Sequence, residues 1–139
     1  MNTKYILIVM GEPYSIFSEI IGKYFIKKNK FNKKVIIIGN KELLQKQLKK
    51  LKIFFHINEI ISLKEAKKNI VNIINVKFVH KKIYSNISSK SNRYIKECFD
   101  LSLKIIKDYK NECVLINGPI SKKTFLKKKY LGITEYLAK

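Results

Sequence analysis

The stretch VLINGPISKKTFLKKKYLGITEYL, residues 114–137, is the most informative part of this chain for its fold. An apolar segment, Cys113 to Ile116, leads into the turn Asn117-Gly118-Pro119, and Ser121 then stands as a helix N-cap before a lysine-rich run. We therefore predict a strand, a tight turn and a short lysine-rich helix. In an open parallel sheet, this order puts backbone N–H groups and a lysine at the carboxyl end of a strand, where phosphate or carboxylate ligands bind.

The N-terminal third predicts alternating strands and helices. Lys4 to Met10 is typical of a buried strand, and the turn Gly11-Glu12-Pro13-Tyr14-Ser15 follows it, with Ser15 able to cap a helix. Apolar residues recur at helical spacing from Ile16 to Phe25, Val35 to Ile38 predicts a second strand, and Leu43 to Leu51 predicts a second amphipathic helix. Such alternation predicts a parallel sheet with helices covering it.

The middle of the chain gives a weaker signal. Ile53-Phe54-Phe55 and Ile73 to Val76 are candidate strands, and Ser62 to Lys68 is either a short helix or a loop. Ser88 to Asn92 supplies several caps for a long helix, whose buried face is predicted from Tyr94, Ile95, Cys98, Leu101, Ser102, Ile105 and Tyr109. A right-handed crossover then leads to the strand that begins at Cys113.

The composition favours one folded domain. The chain has 139 residues, of which 46% are hydrophobic and 29% are charged, so disorder is disfavoured. The early apolar run is too short for a secretion signal or a membrane span, which predicts a cytoplasmic protein without a membrane partner. Cys98 and Cys113 form no CxxC motif and are interpreted as buried, reduced side chains.

The formal net charge of +20 raises the possibility of nucleic-acid binding. Arg93 is the single arginine among 30 basic residues, however, so bidentate recognition of bases or phosphates is nearly absent. The lysines are spread along the whole chain, which favours solvated surfaces over a nucleic-acid site. His56 and His80 are isolated from each other and from any carboxylate cluster, so we assign no metal role to them.

Three separated blocks of the sequence carry the motifs of a known family. Gly11-Glu12-Pro13, followed by Ile16 and Glu19-Ile20, is similar to the motif G-[DE]-P-x-G-I-G-P-E-I. Val35 to Gly39 and then Leu43-Leu44 resemble the family's second strand and helix. Further along, Ser88 to Leu101 resembles its serine-rich entry into a long helix.

The third block is the most specific. Asn117 to Lys122, NGPISK, resembles T-G-P-I-[NS]-K, and Gly132 to Ala138, GITEYLA, resembles G-H-T-E-[FY]-L-A. With these two motifs at the family's spacing, the chain resembles the N-terminal part of 4-hydroxythreonine-4-phosphate dehydrogenase, the NAD-dependent enzyme of vitamin B6 biosynthesis. The likeness covers essentially all of residues 1–139.

The resemblance implies a fold and an assembly. The expected fold is α/β, with a parallel or mixed sheet flanked by helices that makes most of one lobe of the two-lobed isocitrate and isopropylmalate dehydrogenase fold. Family members are more than twice as long and carry their metal-binding histidines beyond the matched part. Residues 1–139 are therefore expected to form a single incomplete lobe, divergent and truncated, that is inactive alone and part of a homodimer when complete. Strands missing from such a lobe would leave an apolar sheet edge exposed.

The resemblance also implies a reaction. NAD would oxidise the phosphorylated amino acid 4-phosphohydroxy-L-threonine, and decarboxylation would lead to 3-amino-2-oxopropyl phosphate, with a divalent metal ion whose ligands lie outside this chain. The sequence has no GxGxxG after a strand, so a standard dinucleotide site is not indicated. Two alternatives stay open: a non-catalytic truncated relative that binds a phosphorylated metabolite, and a basic module that binds nucleic acid.

The matched motifs identify candidate site residues. Substrate binding is assigned to Thr134, Ile133 and Lys122, where Ile133 stands in place of the family's histidine and cannot hydrogen-bond. The alternatives are that Thr134 caps a helix and that Lys122 is one more solvated lysine. The predicted cleft-lining residues are Gly11, Glu12, Asn117, Gly118 and Pro119, although Gly118 and Pro119 more readily shape a loop than touch a ligand.

The first motif departs from the family at three positions. Ser15 and Phe17 replace two glycines, and Ser18 replaces a proline. Phenylalanine in place of glycine narrows the approach to the backbone that glycine permits. These changes leave the substrate of this chain open.

Overall fold

A computed structural model describes residues 2–139 and shows a five-stranded sheet. A helix or a 3₁₀ turn separates each of its five strands from the next along the chain, as the alternating pattern predicts. The strands are β1 (Tyr5–Val9), β2 (Lys34–Gly39), β3 (Ile57–Glu59), β4 (Val71–Asn75) and β5 (Cys113–Asn117). The helices are α1 (Phe17–Lys27), α2 (Lys41–Lys50), α3 (Asn92–Tyr109) and α4 (Ile133–Leu137), with 3₁₀ turns at Leu63–Glu65, Ser89–Ser91 and Lys110–Glu112.

All four strand pairs are parallel, and the strand order is β3-β4-β2-β1-β5. The register places Leu7 in β1 opposite Ile36 in β2 and Leu115 in β5. Apart from Lys34, the residues of β1 and β2 are Tyr, Ile, Leu, Val and Gly, as expected for strands with helices over both faces. The predicted α/β class with a parallel sheet flanked by helices is confirmed.

The sheet divides the core into two clusters, one on each face, because neighbouring residues of a strand point to opposite faces. Helices cover both clusters. Ile8, Ile37 and Ile73 pack with α1 and α2 on one face. Leu7 and Ile36 pack with α3 on the other face, where Phe99 is fully buried. The sequence pattern assigned this face of α3 correctly at Tyr94, Ile95, Cys98 and Ser102 but missed Phe99, while Leu101, Ile105 and Tyr109 are partly buried beside it.

The prediction of a strand at Ile53-Phe54-Phe55 was wrong, and β3 begins only at Ile57. These residues follow the end of α2, where Lys52 has a φ of 57° and donates to the Lys49 carbonyl. The Ile53 N–H donates to the Leu48 carbonyl at 2.9 Å, which completes a Schellman cap. Ile53 therefore folds back onto the α1 and α2 side of the core instead of extending into the sheet.

The lysine-rich helix predicted after Ser121 was also wrong. The Ser121 hydroxyl accepts from the Thr124 N–H at 3.1 Å and its carbonyl accepts from the Phe125 N–H at 2.9 Å, but this gives only one turn. Lys127 and Lys128 then have φ values of 50° and 59°, and this left-handed backbone cannot continue a helix. Residues 122–129 are a series of turns anchored by the buried Leu126.

Two smaller predictions turned out differently in detail. Ser15 lies one residue before the N-cap position of α1, which Ile16 occupies, yet its hydroxyl accepts from the Phe17 N–H at 3.2 Å. The segment Ser62 to Lys68 contains one 3₁₀ turn at Leu63–Glu65 and is otherwise a loop. Among residues 2–139, no helix is both long and apolar enough to cross a membrane.

Candidate functional site

The carboxyl ends of β1 and β5 form the point where the order of the sheet reverses. β2, β4 and β3 lie on one side of β1, whereas β5 lies on the other, and α3 crosses the opposite face from α1 and α2. In open α/β sheets, ligands bind outside the carboxyl ends of the strands at such a switch point. The loops that leave β1 and β5 therefore build the candidate site.

These two loops, Gly11–Pro13 and Asn117–Pro119, contact each other closely and are called the loop pair below. The Gly118 N–H donates to the Val9 carbonyl at 2.7 Å, and the Glu12 N–H donates to the Pro119 carbonyl at 2.8 Å. A Cβ on Gly118 would lie 2.2 Å from the Met10 carbonyl oxygen. One on Gly11, whose φ is +72°, would lie 2.4 Å from the Pro119 carbonyl oxygen. Both glycines are thus needed for the loops to approach.

The five predicted cleft-lining residues divide into buried and exposed positions. Gly11, Glu12 and Gly118 are buried in the loop pair, so these residues determine how the two loops pack and do not face solvent. Asn117 and Pro119 are exposed, and the Asn117 Nδ2 donates to the Gly118 carbonyl at 3.1 Å. Only the last two therefore present side chains to a ligand at the surface. The assignment of these five residues to a cleft stays a prediction.

The carboxyl group of Glu12 is almost fully buried, which is unusual for a glutamate. The residue is only 3% exposed, and its Oε1 accepts from the Tyr14 N–H at 3.4 Å. Its Oε2 is buried and has no hydrogen-bond partner within residues 2–139. Burial raises the pKa of Glu12 above its ordinary value, and the Tyr14 N–H and the nearby Ser91 hydroxyl offset part of that rise. The first motif thus keeps a poorly solvated acid beside the start of α3.

Tyr94 and Asn40 connect α3 to the ends of β2 and β4, and the motifs did not identify them as site residues. The Tyr94 hydroxyl accepts from the Asn40 N–H at 2.8 Å. The Asn40 side chain caps α2 by accepting from the Leu43 N–H and donates to the Val76 carbonyl. The sequence signal for Asn40 is its place between a buried strand and an amphipathic helix. Burial raises the pKa of Tyr94 well above its ordinary value, so this phenol stays neutral.

The three predicted substrate-binding residues lie in the turns and in the helix α4 that follow the loop pair along the chain. Thr134 is exposed in the first turn of α4, and Ile133 is partly buried against the α3 side of the core. Lys122 is exposed and makes no ion pair within the described part of the chain. Gly132 is the N-cap of α4 and no side chain caps it, so the alternative interpretation of Thr134 as a cap is wrong.

Titratable groups elsewhere offer no metal centre. Within residues 2–139, no group of three or more His, Cys, Asp and Glu side chains comes together. His56 is exposed, and the His80 ring stacks on Phe78 with centroids 6.1 Å apart. Cys98 and Cys113 are buried and free, as expected, and burial raises the pKa of Cys98 to about 12. The described residues therefore do not fit a divalent metal ion by themselves.

A second opening lies at the carboxyl ends of β2, β3 and β4. This cavity has a volume of about 520 Å³ and a mixed charge, because Lys41 pairs with Glu59 at 3.5 Å across it. The backbone N–H of Lys41 already donates to the Asn75 Oδ1, so the start of α2 is satisfied without a ligand. The sequence motifs gave no sign of this cavity.

No family model matches this chain. A curated protein from Fusobacterium nucleatum, named provisionally as a D-threonate 4-phosphate dehydrogenase, is 28% identical over 148 aligned positions. The match covers 99% of this chain and 43% of that protein.

Solved structures named 4-hydroxythreonine-4-phosphate dehydrogenase share the fold. The enzyme from Salmonella typhimurium, itself named provisionally, aligns with a TM-score of 0.81 at 20% identity, and the one from Burkholderia phymatum aligns with 0.80 at 17%. The Klebsiella pneumoniae enzyme aligns with 0.78 at 18% identity. This chain spans 44%, 43% and 44% of the three solved chains. The predicted resemblance to the N-terminal part of these dehydrogenases is confirmed.

Proposed function

We propose that residues 1–139 act as the substrate-side lobe of an NAD-dependent dehydrogenase of a phosphorylated threonine derivative. The solved structures are named dehydrogenases of 4-hydroxythreonine 4-phosphate, and the curated relative is named a dehydrogenase of D-threonate 4-phosphate, which has a hydroxyl group in place of the amino group. The observation that carries the proposal is the loop pair: both glycine motifs of the resemblance meet at the switch point of the sheet, with hydrogen bonds of 2.7 and 2.8 Å between them. Two motifs that are about 100 residues apart in the sequence thus form one structural unit.

The proposed reaction is the one implied by the resemblance. It oxidises 4-phosphohydroxy-L-threonine and leads, after decarboxylation, to 3-amino-2-oxopropyl phosphate for vitamin B6 biosynthesis. A nicotinamide cofactor would supply the hydride acceptor. The described residues hold neither a metal-ligand cluster nor the glycine-rich dinucleotide fingerprint, so no chemical step is assigned to them.

The proposal gives this chain the task of binding and orienting the substrate. The Thr134 hydroxyl is exposed and able to hydrogen-bond a substrate oxygen, and Lys122 supplies an unpaired positive charge for a phosphate or carboxylate. Ile133 holds α4 against the core and so positions Thr134 rather than touching a polar group. A homodimer and a cytoplasmic location belong to the same proposal and come from the resemblance and the sequence.

Binding and turnover are measured separately to test this function. Calorimetric titration of the purified chain with 4-phosphohydroxy-L-threonine should show saturable binding, and Lys122→Ala should weaken it by about tenfold because a charge-assisted contact is lost. Lys123→Ala is the matched control, since Lys123 is equally exposed and has no assigned role. Binding that both variants leave unchanged would contradict the assignment of Lys122.

A second candidate function is binding of a phosphorylated metabolite without turnover. The packing of the partly buried Ile133 against the core favours it, because a side chain that cannot titrate stands where the family has a histidine. Both candidates predict the titration above. They differ in NADH formation by the longest natural form of the protein with NAD and a divalent cation, which only the dehydrogenase predicts.

The +20 charge keeps nucleic-acid binding as a third possibility to test. A lysine-driven interaction predicts affinity for any duplex that falls steeply as salt increases. The dehydrogenase proposal predicts no such complex at physiological ionic strength. A gel-shift titration of random duplex DNA at two salt concentrations separates the two.

A further inference from the structure

Glu12 is the one acidic residue that the fold buries. The sequence has ten Asp and Glu residues, and Glu12, at 3% exposure, is the one carboxylate among the buried side chains. The ion pairs within residues 2–139 use other carboxylates, those of Glu19, Glu42, Glu59, Glu97, Asp100 and Glu112. Among the described residues, Glu12 thus pairs with no cation, although the chain has 30 lysine and arginine residues. Because an unpaired buried charge is costly, this position favours the neutral acid.

The two oxygens of the Glu12 carboxyl group have different surroundings. Oε1 accepts from the Tyr14 N–H at 3.4 Å, whereas Oε2 is buried and has no partner within the described residues. The hydroxyl of Ser91, a residue that is 1% exposed, is also buried without a partner there. It is near enough to the Glu12 carboxyl group to favour the charged form, but it lies outside hydrogen-bond geometry. A proton on Oε2 would supply a donor between them, since a hydroxyl oxygen accepts hydrogen bonds.

Glu12 lies where three segments of the chain meet. Its own N–H donates to the Pro119 carbonyl at 2.8 Å, within the loop pair. Ser91 is the N-cap of α3 and makes no cap hydrogen bond through its side chain. Tyr14 packs edge to face on Phe78 in the loop after β4, with ring centroids 5.9 Å apart. A movement of the Glu12 carboxyl group therefore affects the loop pair, the start of α3 and the loop after β4.

The groups that face Glu12 are neutral. Within residues 2–139, the titratable side chains that interact with it are two phenols, Tyr14 on its own loop and Tyr94 on α3. Burial raises the pKa of both phenols, and the charge of Glu12 adds to the rise. The other charged or titratable groups on the neighbouring segments do not change the pKa of Glu12, namely Lys77, His80, Lys90 and Arg93. Burial thus outweighs the Tyr14 N–H and the Ser91 hydroxyl and raises the pKa of Glu12.

We propose that Glu12 is a proton-dependent latch that holds the loop pair to the start of α3. With a proton on Oε2, the carboxyl group stays buried and donates to the Ser91 hydroxyl oxygen. When that proton is lost to solvent, the carboxylate has no cation beside it and gains more from water than from burial. The loop that carries Glu12 and Tyr14 then opens more readily. This latch does not depend on the proposed reaction.

The direction of the pH dependence follows from the two states of the latch. The closed state binds the Glu12 proton more tightly than the open state, in which the carboxyl group has its ordinary pKa of 4.5. Below pH 4.5 both states are protonated, so pH does not change the opening. Above it, the equilibrium constant for opening should rise about tenfold for each pH unit and level off once pH exceeds the raised pKa.

Carbon-13 NMR of the full chain labelled at its glutamate carboxyl carbons measures the proton on Glu12. The Glu12 signal is the one that is absent from Glu12→Gln, and we expect its midpoint above the ordinary value of 4.5. Ser91→Ala should move that midpoint further up, because the hydroxyl that favours the charged form is removed. Ser89→Ala is the matched control, since Ser89 lies in the same turn and is exposed.

Hydrogen exchange measures the opening itself. The amides of Glu12 and Tyr14 report on the latch, and the amide of Ile36 in the centre of the sheet reports on global unfolding. At every pH, the first two should be less protected than Ile36, because the latch opens without unfolding the sheet. Corrected for intrinsic exchange, their protection should fall about tenfold per pH unit above 4.5 until the raised midpoint is reached. In Glu12→Gln it should not change with pH.

Four results would overturn the proposal. A Glu12 midpoint at or below 4.5 would mean that the acid is not held neutral by burial. An unchanged midpoint in folded Ser91→Ala would remove Ser91 as its partner. Equal protection of Tyr14 and Ile36 would mean that the loop opens only when the whole chain unfolds. The same pH dependence of exchange in Glu12→Gln would assign it to another group. Circular dichroism verifies that each variant is folded, and the wild-type and Glu12→Gln data decide the matter without Ser91→Ala.

Discussion

α1 and α2 lie side by side on the same face of the sheet, yet they differ in how much of their apolar surface is buried. Both follow a buried strand, and both place apolar residues at helical spacing. α2 buries Leu43, Leu44, Gln47 and Leu48 and presents Glu42, Gln45 and most of its lysines to solvent. α1 buries Ile21 and Phe25 but leaves Ile20, Tyr24 and Ile26 about half exposed, and Ile16 at its N-cap is 68% exposed.

The difference comes from position in the layer. α2 contacts α1 and lies over the interior of the sheet, so this chain covers all of its apolar surface. α1 is the last helix of the layer and borders the edge strand β5, where no described element packs against its outer side. An amphipathic pattern therefore predicts which face of a helix is apolar. It does not predict which residues pack against that face.

The two edges of the sheet repeat this contrast. β3 is three residues long and ends at Glu59, which is a common way to protect an edge from further pairing. β5 has five residues and an exposed Ile116 near its end. The incomplete lobe stays a prediction, and Ile116 on the β5 side is an apolar side chain that is 45% exposed. The following predictions test this contrast between the covered α2 and the partly exposed α1.

The largest effect is expected from shortening a buried side chain in α2, compared with an exposed one in α1. Leu44→Ala removes a side chain that is 2% exposed and should lower the free energy of unfolding by about 3 kcal/mol. Ile20→Ala should change it by less than about 0.5 kcal/mol, because Ile20 is already in contact with water. Urea unfolding of both variants measures the difference. Equal losses would mean that the outer side of α1 is covered in solution.

A somewhat smaller loss of stability is expected from a change in the loop pair, where the loops after β1 and β5 contact each other. Gly118→Ala should destabilise the protein by about 2 kcal/mol, because the new Cβ would overlap the Met10 carbonyl oxygen. Gly132→Ala is the control, since no atom lies within 4 Å of a Cβ there. Thermal denaturation of the two variants should separate them by several degrees. Similar midpoints would show that the loops do not pack this closely.

Helix capping should distinguish α2 from α1 by a smaller amount. Asn40→Ala removes the cap of α2 and the hydrogen bond to Val76, so a loss of about 1 to 2 kcal/mol is expected. Ser15→Ala removes one hydrogen bond of 3.2 Å before α1 and should cost about 0.5 kcal/mol. The same urea titrations measure both values. A greater loss for Ser15→Ala would reverse the order of the two helix starts.

The smallest effect is a pH dependence from Glu12. The folded protein holds the Glu12 proton more tightly than the unfolded chain does, because burial raises the pKa above 4.5. The contribution of Glu12 to stability is therefore greatest below pH 4.5 and falls as pH rises toward the raised pKa. Glu12→Gln should remove that fall, and stability measured at a series of pH values tests it.

Glu42→Gln is the matched control for this pH experiment. Glu42 is exposed, and its hydrogen bond to Lys46 lowers the pKa instead of raising it. Its contribution is therefore lost as pH falls below 4.5, which is the opposite direction. A wild-type profile that Glu12→Gln leaves unchanged would contradict the buried state of this carboxyl.

Several features could be predicted from the sequence because local patterns determine them. Strands β1, β2 and β5 were identified within one or two residues, since uninterrupted runs of Ile, Leu and Val leave few alternatives. The long helix α3 was identified for the same reason, through its serine-rich start and apolar periodicity. Other segments had apolar or capping residues but no periodic pattern over several turns, so Ile53-Phe54-Phe55 and the run after Ser121 were assigned wrongly. The conformation of the first segment is determined by hydrogen bonds at the end of α2, and that of the second by the left-handed backbone at Lys127 and Lys128.

The candidate site divides in the same way. Its motifs identified Gly11 and Gly118 from single positions, but not that each glycine makes room for the other loop. Tyr94 joins Asn40 across 54 residues of sequence, a contact that no local pattern indicates. Ile133 was assigned to substrate binding from its motif, and this assignment stays a prediction; its packing against the core is known only from the structure.

By itself, the sequence determined the α/β class, the main strands, the helix periodicities and the glycine motifs, because these depend on residue preference and spacing along the chain. The tertiary structure alone decided which apolar faces meet, how the loop pair fits together, and that one side of α1 stays open beside β5. Burial and backbone contact depend on residues that are distant in sequence. Only the folded arrangement of the sheet brings those residues together.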